Sequence, residues 1–394
     1  MGSQTQIARG EVELPERKEK DRSKNLSLAV LDSPDGMERS KHQWHALEER
    51  CAPHSVFTSW PLCFAALQNL SDHERGCIFT VWDGEKLVAV LPLKRVARRG
   101  LAKLTNLISE GHSTLDLMAD EAVSRSDLLA VLAPAFKAAK ADLLELRELK
   151  MNQALMQFLE WAGHAHKFKG TTAQLDLQSS SSFEDYFVDI GEELRQRMHT
   201  GRRQLEKVAP IEHKIITDHQ QLIEQTMPEF GPLASMDEAR VRKLSFIRAL
   251  ASAPSEACRV VLTVIKHGDR MISREWGVIH RKGYTAYAIC RDPAYDKFHT
   301  HALHNAENIR MCFENKLKSM DFGAHLKTEA IAWTNNLTPV FDVYRALTPK
   351  GYLYLYGWRA ALKPALKWLV RKGRKLLAVG FRKLPRRASS SSAS

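Results

Sequence analysis

Trp82-Asp83-Gly84-Glu85-Lys86-Leu87-Val88-Ala89-Val90-Leu91-Pro92-Leu93 is the stretch whose reading decides the fold class. An apolar run, Cys77–Trp82, enters the turn dipeptide Asp83-Gly84, and a second run, Lys86–Arg95, leaves it. Aspartate and glycine accept the left-handed backbone of a tight hairpin, so two antiparallel strands are expected. Pro92 has no N–H for a neighbouring strand, which predicts an edge or a bulge there. Upstream, His42–Cys51 and Trp60–Leu70 read as helices. Downstream, Leu115–Met118 reads as a strand. Ala122–Ala141 reads as a helix with Leu128, Val131, Leu132 and Phe136 on one face. The strand Leu143–Leu149, the helix Asn152–Trp161 and the strand Thr172–Leu177 complete a first body.

Gln178 and Ser179–Ser182 form a polar break, and the same order of elements returns after it. Phe183–Val208 reads as one charged helix, followed by helices at Gln220–Gln225 and Met236–Ala251. A meander comes next: Arg259–Lys266, Met271–His280 and Tyr284–Arg291. A helix (His301–Lys318), a strand (Ser319–Phe322), a helix opened by Thr338-Pro339 as cap and first residue, and a strand (Tyr352–Trp358) follow. Both halves give hairpin or meander, helix, strand, helix, strand. The expected fold is α/β, with two similar lobes in tandem. The expected partition is a disordered terminus (1–25), an N-terminal lobe (26–178), a serine linker (179–182), a C-terminal domain (183–358) and a basic amphipathic tail (359–394).

Among the 394 residues, 44% are hydrophobic and 26% charged, a balance that buries a core and excludes a disordered chain. No stretch approaches the roughly 18 apolar residues of a membrane span. The charged N-terminus has no apolar segment of a secretory signal. The cysteines (Cys51, Cys63, Cys77, Cys258, Cys290 and Cys312) form no CxxC pair, which fits a reducing cytosol. The net charge of +12 is concentrated at one end. No acid follows Asp342, and thirteen bases do, from Arg345 to Arg387. The rest of the chain is nearly neutral, so the basic balance does not describe a nucleic-acid-binding domain.

This order of elements resembles the GNAT acyltransferase fold, and two copies in one chain resemble the Fem-type aminoacyltransferases. The Trp82–Leu93 hairpin, Gly111-His112-Ser113-Thr114-Leu115-Asp116-Leu117, and the block from Tyr295-Asp296 through a helix to Met320-Asp321-Phe322-Gly323 are similar to GNAT proteins of the cellulose-biosynthesis (CelD/BcsL) type. The resemblance covers about residues 40–358. Three departures stand out. His325 occupies the place of the family's second glycine, and Thr328-Glu329 that of its Tyr-Lys. Phe298-His299-Thr300-His301 replaces a Pro-Gly turn. No Q/R-x-x-G-x-G/A phosphate loop is present.

The resemblance implies acyl transfer from acetyl-CoA or another acyl-CoA to an amine, on a sugar, glycoconjugate or exopolysaccharide precursor. In such a fold backbone groups at a splay between two central strands stabilise the oxyanion. The carrier's phosphates sit at the next helix N-terminus, where free N–H groups and the helix dipole attract anions. That start carries Thr300, His301 and Ala302, with Arg291 and Lys297 just before it. Asp321, His325 and Glu329 follow the family-like strand and are the candidate bases. His299, His301 and His304 have a spacing at which imidazoles can share a metal, but with no cysteine nearby no metal is expected. Arg195, Arg197, Arg202, Arg203 and Lys207 could grip phosphate. Without aromatic interleaving they do not point to RNA, and a nucleic-acid partner is not expected.

After Trp358, the residues Leu362, Ala365, Leu366, Leu369 and Leu376 recur at helical spacing opposite Lys363, Lys367, Arg371 and Arg374. Residues 358–387 therefore read as a basic amphipathic helix for an anionic membrane surface. The expected location is cytoplasmic, peripheral on the inner face of the membrane. Two other functions fit the same residues: a Fem-like transferase using aminoacyl-tRNA, and a catalytically degenerate scaffold at the membrane.

Overall fold

The Asp83-Gly84 turn forms as read, with Gly84 at φ 61° between strands Glu74–Asp83 and Lys86–Arg98. The computed structural model describes residues 26–51, 55–108, 114–151, 153–160, 165–224, 238–252, 258–323, 330–362 and 368. The first half runs β1 (Leu26–Leu31), α1 (Pro34–Arg50), α2 (Trp60–Gln68), β2 (Glu74–Asp83), β3 (Lys86–Arg98), β4 (Leu101–Asn106), β5 (Met118–Ala119), α3 (Arg125–Ala138), β6 (Leu143–Lys150), α4 (Ala154–Glu160) and β7 (Ala165–Asp176). The second runs α5 (Phe183–Asp189), α6 (Glu192–Glu206), β8 (Ile211–Ile216), α7 (His219–Glu224), α8 (Glu238–Ser252), β9 (Cys258–His267), β10 (Arg270–His280), β11 (Gly283–Arg291), α9 (Thr300–Glu314), β12 (Ser319–Asp321), β13 (Leu337–Ala346) and α10 (Pro349–Tyr352). A wider π-type helix, Leu353–Leu362, continues α10.

One continuous sheet carries both halves in the order β1-β2-β3-β4-β6-β13-β7-β12-β11-β10-β9-β8, with β5 on β3. Each half has one parallel pair, β4 with β6 and β11 with β12, and every other pair is antiparallel. Parallel neighbours need a crossover, and α3 and α9 provide it. The halves exchange their last strands. β13 pairs with β6 of the first half, and β7 pairs with β12 of the second. The seam between the halves is the β13–β7 ladder.

Three expectations are corrected. Phe183–Val208 is two helices, because Ile190 and Gly191 are extended (ψ 150° and 134°). Thr338-Pro339 opens no helix but lies in β13, where Pro339 pairs with Thr171 of β7. Its pairing with β6 begins only at Val340, so the proline precedes the point where the strand becomes central. Tyr352–Trp358 is not a strand; it belongs to α10 and the π-type helix. The cap lies at Thr348, whose hydroxyl accepts the Gly351 N–H ahead of Pro349. Pro92 sits inside β3, in the gap between the β5 pairing at Ala89–Val90 and the β4 pairing from Leu93. The expected strand at Leu115–Met118 is reduced to β5. The expectations for residues 1–25, Gly111–Ser113, His325, Glu329 and nearly all of the tail fall outside the described residues.

Three large apolar clusters hold the sheet, and a small fourth joins Leu143, Tyr344 and Leu355. The largest packs α1, α2 and α8 against β2, β3 and β9–β11, so it spans both halves. Trp44 and Leu62 are fully buried in it, and Tyr287 lies against Phe57 and Phe246. The second places α3 and α4 on the other face of the first half. The third places α5, α6 and α9 on that of the second. β3 is buried on both faces along most of its length, which explains its unbroken apolar run.

Candidate active site

The two parallel seams are built differently. In the first half, β4 pairs with β6 at Lys103, Leu104 and Thr105, and β4 ends at Asn106. The Asn106 amide then staples the strands: it donates to the Arg147 carbonyl (2.8 Å) and accepts the Arg147 N–H (2.9 Å). In the second half, β11 pairs with β12 only at Gly283, Tyr284 and Thr285. Residues 286–291 run on alongside β10 alone among the described residues. Their other edge pairs with no described strand. The helices that follow differ too. α3 is capped by the Ser124 hydroxyl, which accepts the Asp127 N–H (3.1 Å), and Asp127 puts an acid in its first turn. α9 has no side-chain cap and no acid in its first turn, which leaves its positive end suited to an anion.

The expected carrier residues surround that helix start. Arg291 ends β11, with its guanidinium 3.6 Å from Asp296. Lys297 is exposed on the 3₁₀ turn Pro293–Phe298, over the Phe298 ring. His301 and Ala302 are half-buried in the first turn of α9. Thr300 is fully buried and its hydroxyl donates to the Tyr295 carbonyl (2.9 Å), so its side chain is already engaged. His299 holds φ 56°, the left-handed position that glycine fills without strain. The turn is set by α6. A Cβ on Gly201 would lie 2.1 Å from the Phe298 carbonyl oxygen, so only glycine allows this approach.

Asp321 ends β12 among partners from other strands. Its Oδ2 accepts from Lys150 at the end of β6 (2.5 Å), and its Oδ1 accepts the Gly323 N–H (2.8 Å). The Thr172 hydroxyl on β7 donates to the Gly323 carbonyl (2.8 Å) and lies 3.4 Å from Oδ1. Strands from both halves therefore meet at this carboxylate. Lys150 and Thr172 were not singled out in the sequence, because no local pattern marks them.

The histidine run does not converge. His304 is fully buried, bonded to the Thr263 and Ser273 hydroxyls (2.8 and 2.6 Å). Burial, with His213, His301 and Arg291 nearby, holds it well below the usual histidine range, so it is a neutral core residue. Among the described residues, no three His, Cys, Asp or Glu side chains are grouped to hold a metal. Two of the five bases at α6 are ion-paired: Arg197 with Glu193, and Arg202 with Glu206 (2.8 Å) and Glu307 (3.2 Å).

A buried carboxyl, Glu275 on β10, supports α9 from behind. Tyr284 and Asn308 both donate to its Oε1 (2.7 and 2.8 Å). Burial pushes it up to about 7, against the lowering effect of those two hydrogen bonds. A carboxyl raised in the folded state costs stability fully above that value, and the cost fades as pH falls toward the unfolded value. For a shift from 4.5 to about 7 the cost is on the order of 3 kcal/mol. Glu275→Gln keeps the acceptor and removes the ionisation. Relative to the native chain, its stability in denaturant titrations should therefore rise between pH 5 and pH 7 and stay level above. A difference independent of pH would show that Glu275 ionises as freely in the folded state as in the unfolded one.

Residues 192–329 match the model of an acetyltransferase (GNAT) domain family. Among the solved structures that resemble the fold are two with a TM-score above 0.5. One is a tandem GNAT protein from the clavulanic acid biosynthesis pathway, at 13% identity and a TM-score of 0.53, covering 82% of this chain and 99% of that one. The other is FemX, at 10% identity and 0.53, covering 80% and 97%. No curated protein matches the chain in sequence. At these identities the two structures speak for the fold alone. Domains of the matched family generally use acyl-CoA, with an amine as acceptor. The chain thus carries a GNAT-family acetyltransferase domain within a tandem α/β GNAT fold, and by class it is an acyltransferase.

Proposed function

We propose that the lobe formed by residues 183–358 performs N-acyl transfer, with acyl-CoA lying along the free edge of β11 and its phosphates at the start of α9. The observation that carries this reading is the contrast between the seams. The first is stapled by Asn106 and followed by a capped helix; the second is open and followed by an uncapped one. Edge N–H groups would polarise the thioester carbonyl. The acceptor amine attacks that carbonyl, the amine gives up a proton, and the carrier thiol leaves. Asp321, His325 and Glu329 are the candidates to take the proton. Arg291, Lys297 and the backbone of Thr300, His301 and Ala302 would hold the carrier, although the Ala302 N–H now donates to the His299 carbonyl (2.9 Å). The lobe of residues 26–178 would then shape the acceptor side.

The acceptor we favour is an amine on a sugar or exopolysaccharide precursor, as the likeness to the CelD/BcsL type implies. The tail, residues 358–387, would hold the enzyme at an anionic membrane on its cytoplasmic side. Among the described residues, no helix is long and apolar enough to cross a membrane. The Fem-like alternative draws support from the likeness to FemX. It is weakened in part by α6, where two of the four arginines, Arg197 and Arg202, are engaged by Glu193, Glu206 and Glu307. Native mass spectrometry of the full chain against acetyl-CoA, longer acyl-CoAs and aminoacyl-tRNA tests the choice. Retention of an acyl-CoA is expected. Retention of aminoacyl-tRNA alone would favour the Fem-like reading, and of none the scaffold.

A further inference from the structure

The tip of the β3–β4 hairpin gathers cations from three distant segments. Arg99 and Gly100 form its tight turn, both with left-handed backbone (φ 51° and 74°). Arg98 and Arg99 project there, exposed and without an ion pair among the described residues. Arg95 donates to the Lys140 carbonyl just past α3 (3.2 Å), which brings the exposed Lys140 beside the hairpin. Lys350 of α10 donates to the Gly100 carbonyl. Arg95, Arg98, Arg99, Lys140 and Lys350 line an open cavity of about 350 Å³. The one carboxylate in its lining, Asp142, is already engaged: it accepts from the Thr348 hydroxyl (2.8 Å) and the Ala102 N–H (2.9 Å).

An exposed apolar step adjoins this cluster. α10 is locked against the start of β6, because a Cβ on Gly351 would lie 1.8 Å from the Asp142 carbonyl oxygen. The helix continues directly into Tyr352, Leu353 and Tyr356, which are 61%, 71% and 47% exposed. The two tyrosine rings lie 4.5 Å apart against each other. Five cations facing one occupied carboxylate attract anions. Tyrosine and leucine beside them gain where polar headgroups meet acyl chains. Exposed tyrosines beside cations can also stack on bases, so binding of tRNA is an outcome the test must read.

We propose that the hairpin tip and the start of the π-type helix form a docking surface for an anionic phospholipid bilayer, built into the folded body and separate from the tail. Each cation near an anionic bilayer strengthens binding severalfold. In full-length protein, R98E/R99E/K140E should lower affinity for mixed phosphatidylglycerol–phosphatidylcholine vesicles by at least about tenfold, with an unchanged melting curve. The milder R98Q/R99Q should weaken it in the same direction, which guards against misfolding of the reversed variant. Native protein should float with these vesicles and leave pure phosphatidylcholine vesicles largely unbound. A second full-length variant, K363E/K367E/R371E/R374E, reports on the tail alone. Loss in the hairpin variants, whatever the tail variant does, supports the surface. Native-like flotation of both hairpin variants overturns it, and loss in the tail variant alone would then leave only the tail as the anchor. Native protein that ignores anionic vesicles, or binds tRNA in their place, overturns it as well.

Discussion

Asp321→Ala is expected to lower stability by about 3 kcal/mol and kcat by about 100-fold or more. The stability loss follows from what the carboxylate holds. Its ion pair with Lys150 is largely shielded, with the two side chains 16% and 12% exposed. Removing one member of such a pair leaves the other charge without compensation. The Gly323 N–H also loses its acceptor. Lys150→Met in the Asp321→Asn background removes both charges and should recover most of the stability, since an apolar isostere often replaces a buried pair without loss. The rate should not recover, because Asp321 is also a candidate proton acceptor. Recovery of both would reduce Asp321 to a clamp between the halves.

The second large effect is expected at Gly201. An alanine there would place its Cβ 2.1 Å from the Phe298 carbonyl oxygen, where no real carbon sits. Helix α6 and the turn would have to part by about 1 Å, and a displacement of that size in a positioned site costs on the order of 100-fold. The turn leads directly into α9, so the loss should appear as weaker acyl-CoA binding in calorimetry. Overpacking should lower stability by about 1–3 kcal/mol. Unchanged affinity in a folded variant would place the carrier away from this turn.

What could be read in the sequence was local. The Asp83-Gly84 hairpin, the meander and the two crossover helices all rest on short-range chemistry. The dipeptide Thr-Pro shows where that chemistry stops deciding. It occurs at 338 and at 348 with the same capping potential. At 348 the hydroxyl caps α10. At 338 the chain is drawn into β13 by two partner strands, and tertiary pairing overrides the local signal. Asp321 was legible through its resemblance to a known motif. Its partners Lys150 and Thr172 stand 171 and 149 residues away in the chain, and only the exchange of last strands brings them together. The closed first seam depends on one amide, Asn106, reaching Arg147 across 41 residues. No periodicity encodes that contact.

The most direct test of where the carrier binds is amide hydrogen exchange of the full chain with and without saturating acetyl-CoA. New protection should cluster at residues 286–291 and 298–305, along the free edge of β11 and the first turn of α9. Protection confined to residues 101–128, around the stapled seam and the capped start of α3, would put the site in the other half and contradict the assignment.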